Sequence, residues 1–166
     1  MMKIRTQPNA DLQKLATLIQ PMDSVAMLTS QEADGALVSR PMAPLEMDDT
    51  GAIWFFTDRN SAKVEQLRTL NLSFSDAERG TYVSLCGQGD LETDRSHIKR
   101  LWSPLARPWF PEGTESENLA LLKFTPSAAE YWDAVNTKMV HLFATALSVI
   151  AARPIGMGEH GHLEGI

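Results

Sequence analysis

Thr57, Asn60, Ser61 and Lys63 fall in one short stretch, after the aromatic run Trp54-Phe55-Phe56 and at the head of an amphipathic one. The pattern predicts a strand over 52–57, a polar turn, and a helix from Ser61 to about Thr69. A helix start leaves backbone N–H groups unpaired and carries partial positive charge, which makes it a ready anion site. A lysine in the first turn opposes the helix dipole, at a cost of a few tenths up to ~1 kcal/mol. A bound phosphate would reverse the sign of that contribution. The same residues also fit a plain surface helix, capped by Asn60 or Ser61, with Lys63 in water.

Arg40 lies between Ser39 and Pro41, within a stretch at 36–46 that reads as a strand. Proline cannot donate to a strand ladder, so Arg40-Pro41 predicts a local break. An arginine there can snorkel from an edge strand. It can equally place its planar fork on a phosphate or a polar ring edge.

The elements that must position these groups follow from patterning. Leu12, Leu15, Leu18 and Ile19 recur at helical spacing, predicting a helix over 9–20 that ends at Pro21. A strand at 24–30 turns through Asp34-Gly35 into 36–46, a hairpin signal. Further strands are expected at 70–75 and 81–93, the latter the longest, with Gly87 and Gly89 marking a bulge or bend. Asp94 is placed to cap a helix reaching Trp102, and a proline- and aromatic-rich segment follows at 103–113. Two strands, 119–125 and 129–134, are expected on either side of Pro126. The spacing of Val140, Phe143, Ala144, Leu147, Ile150 and Ala151 predicts a helix over 137–153. Short strands with tight turns and inserted helices imply an α+β, mainly β fold: an antiparallel barrel with peripheral helices. A single domain over 1–153 and a loose Gly/His-rich tail over 154–166 are expected.

Composition narrows the partners. The chain has 166 residues, is 43% hydrophobic and carries a net charge of −6. That balance argues against a nucleic-acid partner, so any anion site must be local. No stretch approaches the ~20 apolar residues of a membrane span, and the N-terminus lacks a signal-peptide core. Cys86 is the only cysteine, which excludes an internal disulfide and fits a reducing cytoplasm. The four histidines and Cys86 show no zinc spacing, and no metal is expected. Hydrolase, P-loop and Rossmann signatures are absent.

Ser39-Arg40-Pro41-Met42, then the aromatic strand, then Thr57-x-x-x-Ser61-x-Lys63 resembles the pyridoxamine 5′-phosphate oxidase-like family of FMN-binding split barrels. Leu101-Trp102-Ser103-Pro104-Leu105, Trp109-Phe110-Pro111-Glu112-Gly113, Leu121-Leu122-Lys123-Phe124-Thr125-Pro126 and Ala129-Glu130-Tyr131-Trp132-Asp133 extend the likeness to its general stress protein 26 branch. The resemblance implies an antiparallel split barrel and a homodimer with FMN, or FAD, in two equivalent interface clefts. Arg40, Pro41 and Met42 would follow the flavin edge toward its phosphate. Phe56 and Thr57 would line the ribityl chain and ring, and Ser61 with Lys63 would hold the phosphate. Trp102 and Trp109 would close a cleft.

Two departures stand out. The phosphate turn reads Ser61-Ala62-Lys63 where the oxidases have Ser-Arg-Lys, and Tyr82 falls where they often carry a glutamine. The segment 137–166 holds Arg153 as its only arginine, which argues against pyridoxamine phosphate oxidation itself. A flavin-dependent oxidoreductase acting on an unidentified small molecule is one expectation. A non-catalytic flavin-binding stress or sensor protein is the other, with deazaflavin or haem as alternative ligands.

Overall fold

In the computed structural model, residues 2–22, 25–61, 66–133 and 140–144 are described. The strands are β1 (Lys3–Ile4), β2 (Ala26–Gln31), β3 (Leu37–Met42), β4 (Pro44–Met47), β5 (Ile53–Asp58), β6 (Leu70–Asp76), β7 (Thr81–Glu92), β8 (Leu119–Trp132) and β9 (Val140–Ala144). Among the described residues two α-helices accompany them, α1 (Ala10–Ile19) and α2 (Arg95–Leu101).

One sheet holds every strand, in the order β1-β4-β5-β8-β7-β6-β2-β3, with β9 on a free stretch of β8. All its pairings are antiparallel except the short parallel contact of β1 with β4. β3 ends the path at one side while β4 lies near its other side, yet only Ala43 separates them in sequence. Consecutive Cα atoms are ~3.8 Å apart, so the two ends of the sheet must meet. The chain itself therefore curls the sheet into a barrel. The continuous strand expected over 36–46 is in fact two strands, and the break falls at Ala43 rather than at Arg40-Pro41. Pro41 stays in register opposite Met27, tolerated because β3 pairs only with β2.

Inward-facing residues alternate along the strands and fill the barrel: Leu28, Ile53, Phe55, Leu70, Leu72, Phe74, Val83, Leu85, Leu122 and Phe124 are all buried. α1 begins at the Asn9 cap, whose side chain accepts from the Leu12 N–H, and it adds Leu12, Leu15 and Ile19 to this core. Each such side chain contributes ~1.5–3 kcal/mol of burial. Leu12 abuts Gly51, which turns β4 into β5 with φ 83°, so α1 covers the end of the barrel where β5 begins.

Pro126 does not divide β8. It pairs with Gly87 at a register shift in β7, and it falls between the stretch of β8 facing β5 (119–124) and the stretch facing β9 (128–131). On that side its missing N–H has no partner strand to disappoint. Gly87 is required there, because a Cβ would lie 2.3 Å from the Thr125 carbonyl oxygen. At 14 residues β8, not β7, is the longest strand.

A second correction concerns residues 140–144, expected as helix and found as β9. The uncovered length of β8 offers backbone partners, and Val140 and Leu142 are half-buried, Leu142 against the core. The rest of the expected helix, and the expected tail, lie outside the described residues. So do residues 62–65 of the expected helix after Ser61, while 67–69 form turns.

A smaller core, made of Trp54, Ile98, Leu101, Ala106, Phe110, Leu119 and Leu121, fixes α2 and the segment after it on the outer side of β5. Asp94 caps α2, accepting from the Ser96 N–H at 2.9 Å, and these bonds hold its carboxyl below the usual range. Glu46, 2% exposed, takes Arg5 at 2.9 Å and Arg100 of α2 at 2.9 Å. Arg100 also reaches His97 Nε2, whose other ring nitrogen meets Glu92. This ion cluster ties α2 to β4 and so positions Trp102.

Candidate functional site

The antiparallel registers bring the end of β5, the end of β2 and the starts of β3, β6 and β8 to one end of the barrel, opposite α1. The chain leaves β5 there through an Asx turn. Asp58 Oδ1 accepts from the Asn60 N–H at 2.8 Å, and the Ser61 N–H bonds the Asp58 carbonyl at 3.0 Å. Asn118, just before β8, fastens this turn: its side chain accepts from Asn60 Nδ2 at 2.8 Å, and its carbonyl accepts from the Arg59 N–H at 2.9 Å. The local residues therefore favour a rigid polar turn, as their types suggest.

Three side-chain oxygens here are buried without a hydrogen-bond partner among the described residues: Thr57 Oγ1, Ser61 Oγ and Gln66 Oε1. Thr57 as a whole is 2% exposed. Buried polar atoms are nearly always satisfied in native proteins, and each exception costs ~1–3 kcal/mol. Oxygens orphaned at the end of β5 and on the connection that follows fit a polar group supplied from outside the chain. The donor set, two hydroxyls that can donate to an anion, suits a phosphate.

Arg40 projects from the inward-facing side of β3 toward this same end. Its Nη1 donates to Ser30 Oγ at 3.3 Å and its Nη2 meets Glu32 Oε1 at 3.2 Å. Ser30 is buried, while Arg40 stays about one-third exposed. A cleft of about 200 Å³ opens alongside, lined by Gln31, Ala33, Gln66, Arg68 and Thr69.

The other expected residues are dispersed. Lys63 lies outside the described residues. Met42 is buried in the barrel core, and Pro41 lies on the outer sheet face near the far end of β3. Phe56 points away from Thr57 to the outer side of β5, where Trp102 lies 5.5 Å and Phe110 6.4 Å from it, ring to ring. Trp102 and Phe110 thus anchor the 103–113 segment, whereas Trp109 stands 75% exposed beside an equally bare Leu105. Tyr82 sits near the start of β7, opposite Ser75 and Trp132. Glu92 lies ten positions further along β7, a span of ~33 Å along a strand. Within this chain, Tyr82 does not join Thr57 and Ser61.

Gln66 was not singled out from sequence, where it reads as one polar position of an amphipathic run. Asn118 was missed too, because its contact with Asn60 spans a long sequence separation.

The outer face of the sheet is also distinctive. Met27, Thr29 and Gln31 of β2 lie between Pro41, Ser39 and Leu37 of β3 on one side and Ser73 and Asn71 of β6 on the other, and Ser75, Ser73 and Asn71 lie beside Tyr82, Ser84 and Cys86 of β7. None of these side chains is charged, although 22% of the chain is. Met27, Leu37 and Tyr82 on this face are all exposed.

With the barrel and its polar end established, the comparisons decide the family. The model of the family described as pyridoxamine 5′-phosphate oxidase like matches residues 10–154. The chain belongs to that family. It is similar to Protein bli-3 of Neurospora crassa, 28% identical over 143 residues, covering 77% of this chain and 67% of that protein. Among solved structures, a protein from Clostridium acetobutylicum related to general stress protein 26 of B. subtilis superposes with TM-score 0.69 at 20% identity, covering 82% of this chain and 96% of that one. The general stress FMN/FAD binding protein of Xanthomonas citri superposes with TM-score 0.62 at 27% identity, covering 78% and 92%. The expected antiparallel split barrel is therefore the observed fold. No helix among the described residues is long and apolar enough to cross a membrane.

Proposed function

We propose that this protein binds a flavin mononucleotide at the polar end of its barrel and works as a homodimeric, flavin-dependent oxidoreductase. The unpaired, buried hydroxyls of Thr57 and Ser61 carry this reading. Those two groups would donate to the flavin's terminal phosphate, with Lys63 and Arg40 supplying charge. The flavin-binding relative from Xanthomonas citri supports a flavin over other ligands, and its name extends the choice to FAD.

Once bound, a flavin supplies hydride and single-electron chemistry at its ring. What the chain contributes is grip on the phosphate and a dry wall for the ring. The uncharged stretch of the outer face across β2, β3, β6 and the first part of β7, bordered by Glu130 of β8, supports a second copy as partner, since a symmetric interface must match itself without repelling like charges. In such a dimer, Tyr82 of one protomer could meet the phosphate end of the other. Trp109 and Leu105, bare in the single chain, would cover the ring from the anchored 103–113 segment.

The test begins with the purified protein, whose released cofactor is identified by mass. Flavin-loaded protein is then mixed with NADH and with NADPH without oxygen. Rapid bleaching of the bound flavin's visible absorbance is expected. Bound flavin without bleaching by either donor would leave a flavin-binding protein and overturn the reductase half of the reading. Absence of any flavin affinity would overturn the whole.

A further inference from the structure

The same guanidinium invoked for the phosphate is already engaged. Arg40 Nη2 is 3.2 Å from Glu32 Oε1, and Nη1 donates to Ser30 Oγ at 3.3 Å. Glu32 is not a casual surface residue. It opens the β2–β3 hairpin turn, where its N–H bonds the Ala36 carbonyl at 2.7 Å and its carbonyl accepts from Gly35 at 2.9 Å. The backbone at Glu32 is thus held from both sides, and its carboxylate is only 25% exposed. Arginine is always cationic, and its planar fork binds a carboxylate and a phosphate with the same N–H groups.

We infer that Glu32 is a specificity-determining residue: an internal carboxylate that competes with the ligand's phosphate for Arg40. This rests on the proposed reading of Arg40 as a phosphate contact. A dianionic phosphate arriving at Arg40 must either displace the carboxylate or lie beside it. Either way, some of the attraction of Arg40 is spent before the ligand arrives. Ser30, buried and neutral, holds the guanidinium in place when the carboxylate leaves. Glu32 therefore lowers the preference for phosphorylated over unphosphorylated flavin. A ligand lacking the phosphate meets no such competition.

The experiment titrates flavin-free wild type, Glu32→Gln and Arg40→Ala with FMN and with riboflavin, reading flavin fluorescence. Glu32→Gln keeps the side-chain length and a hydrogen-bond acceptor but removes the charge. It is expected to tighten FMN by about fivefold, the upper end of what a partly exposed ion pair contributes, and to leave riboflavin unchanged. Arg40→Ala is expected to weaken FMN alone, and the double variant to match Arg40→Ala. If Arg40→Ala weakens FMN while Glu32→Gln leaves it unchanged or weaker, the competition is overturned and the phosphate reading of Arg40 survives. If Arg40→Ala has no effect on FMN, that reading and the inference built on it fail together.

Discussion

A hydroxyl buried without a partner is a cost to the free protein, and among the described residues none partners Thr57 Oγ1 in the barrel's polar end. Thr57→Val keeps the shape and removes the unmet oxygen. It should stabilise the flavin-free protein by about 1 kcal/mol, raising Tm by ~2–4 °C, while weakening FMN binding. Differential scanning fluorimetry with and without FMN reads both effects; a Tm that falls in the flavin-free variant would contradict the orphaned hydroxyl. At this scale, the polar turn after the aromatic strand was legible from residue types, but those types fit a plain helix cap as well as an anion site, and only the fold shows Thr57 Oγ1 and Ser61 Oγ buried without a partner among the described residues. Gln66 and the Arg40–Glu32 pair were not. Which polar residues end up inside depends on how strands distant in sequence are stacked, and Glu32 reads only as part of a turn until β2 and β3 are paired.

Among the elements, the β4–β5 turn shows how one side chain can hold a hairpin. Asp48 Oδ1 accepts from the Thr50 N–H and hydroxyl and from the Ala52 N–H, and Oδ2 accepts from Trp54 Nε1 at 2.8 Å. Burial pushes its carboxyl up, but the bonds from Thr50, Trp54 and Ala52 together outweigh that and hold it below its ordinary 3.8. A lowered folded-state pKa stabilises the fold above the unfolded value and loses that contribution as pH falls through the folded one. Asp48→Asn, which turns an amide donor toward an existing N–H, should cost ~1–2 kcal/mol at pH 7. Urea unfolding should show the gap between the two proteins closing below about pH 4; a gap independent of pH would contradict the charged acceptor.

The strands themselves were mostly visible from alternation and turn residues, and β5, β6 and the Asp94 cap appear where expected. The misses share a cause. Pro126 was read as a break because a proline's effect depends on which neighbours its strand has, and here the neighbours part at that position. Residues 140–144 carry apolar spacing compatible with a helix, yet an open length of β8 provides a ladder that periodicity does not register.

For the molecule as a whole, barrel closure follows from one covalent fact, the single residue between β3 and β4, which no local pattern discloses. Nor does the sequence disclose the uncharged stretch of the outer face, because its residues come from β2, β3, β6 and the first part of β7 and alternate with core positions. If that face joins two copies, Met27→Glu places like charges on a symmetric interface. Sedimentation should then show a monomer at micromolar concentration where the wild type is a dimer, and FMN affinity should fall with it. A monomeric wild type would contradict the proposed assembly. The family's barrel thus supplies the frame, while the proposed ligand would depend on a few oxygens and cations at one of its ends.

The most direct measurement compares two ligands on the unmodified protein. Flavin-free protein is titrated with FMN and with riboflavin, which differ only in the phosphate. Hydrogen bonds to a charged group contribute ~1.5–3 kcal/mol, so FMN should bind at least about tenfold tighter. Equal affinities would mean that the hydroxyls of Thr57 and Ser61 await something other than a phosphate.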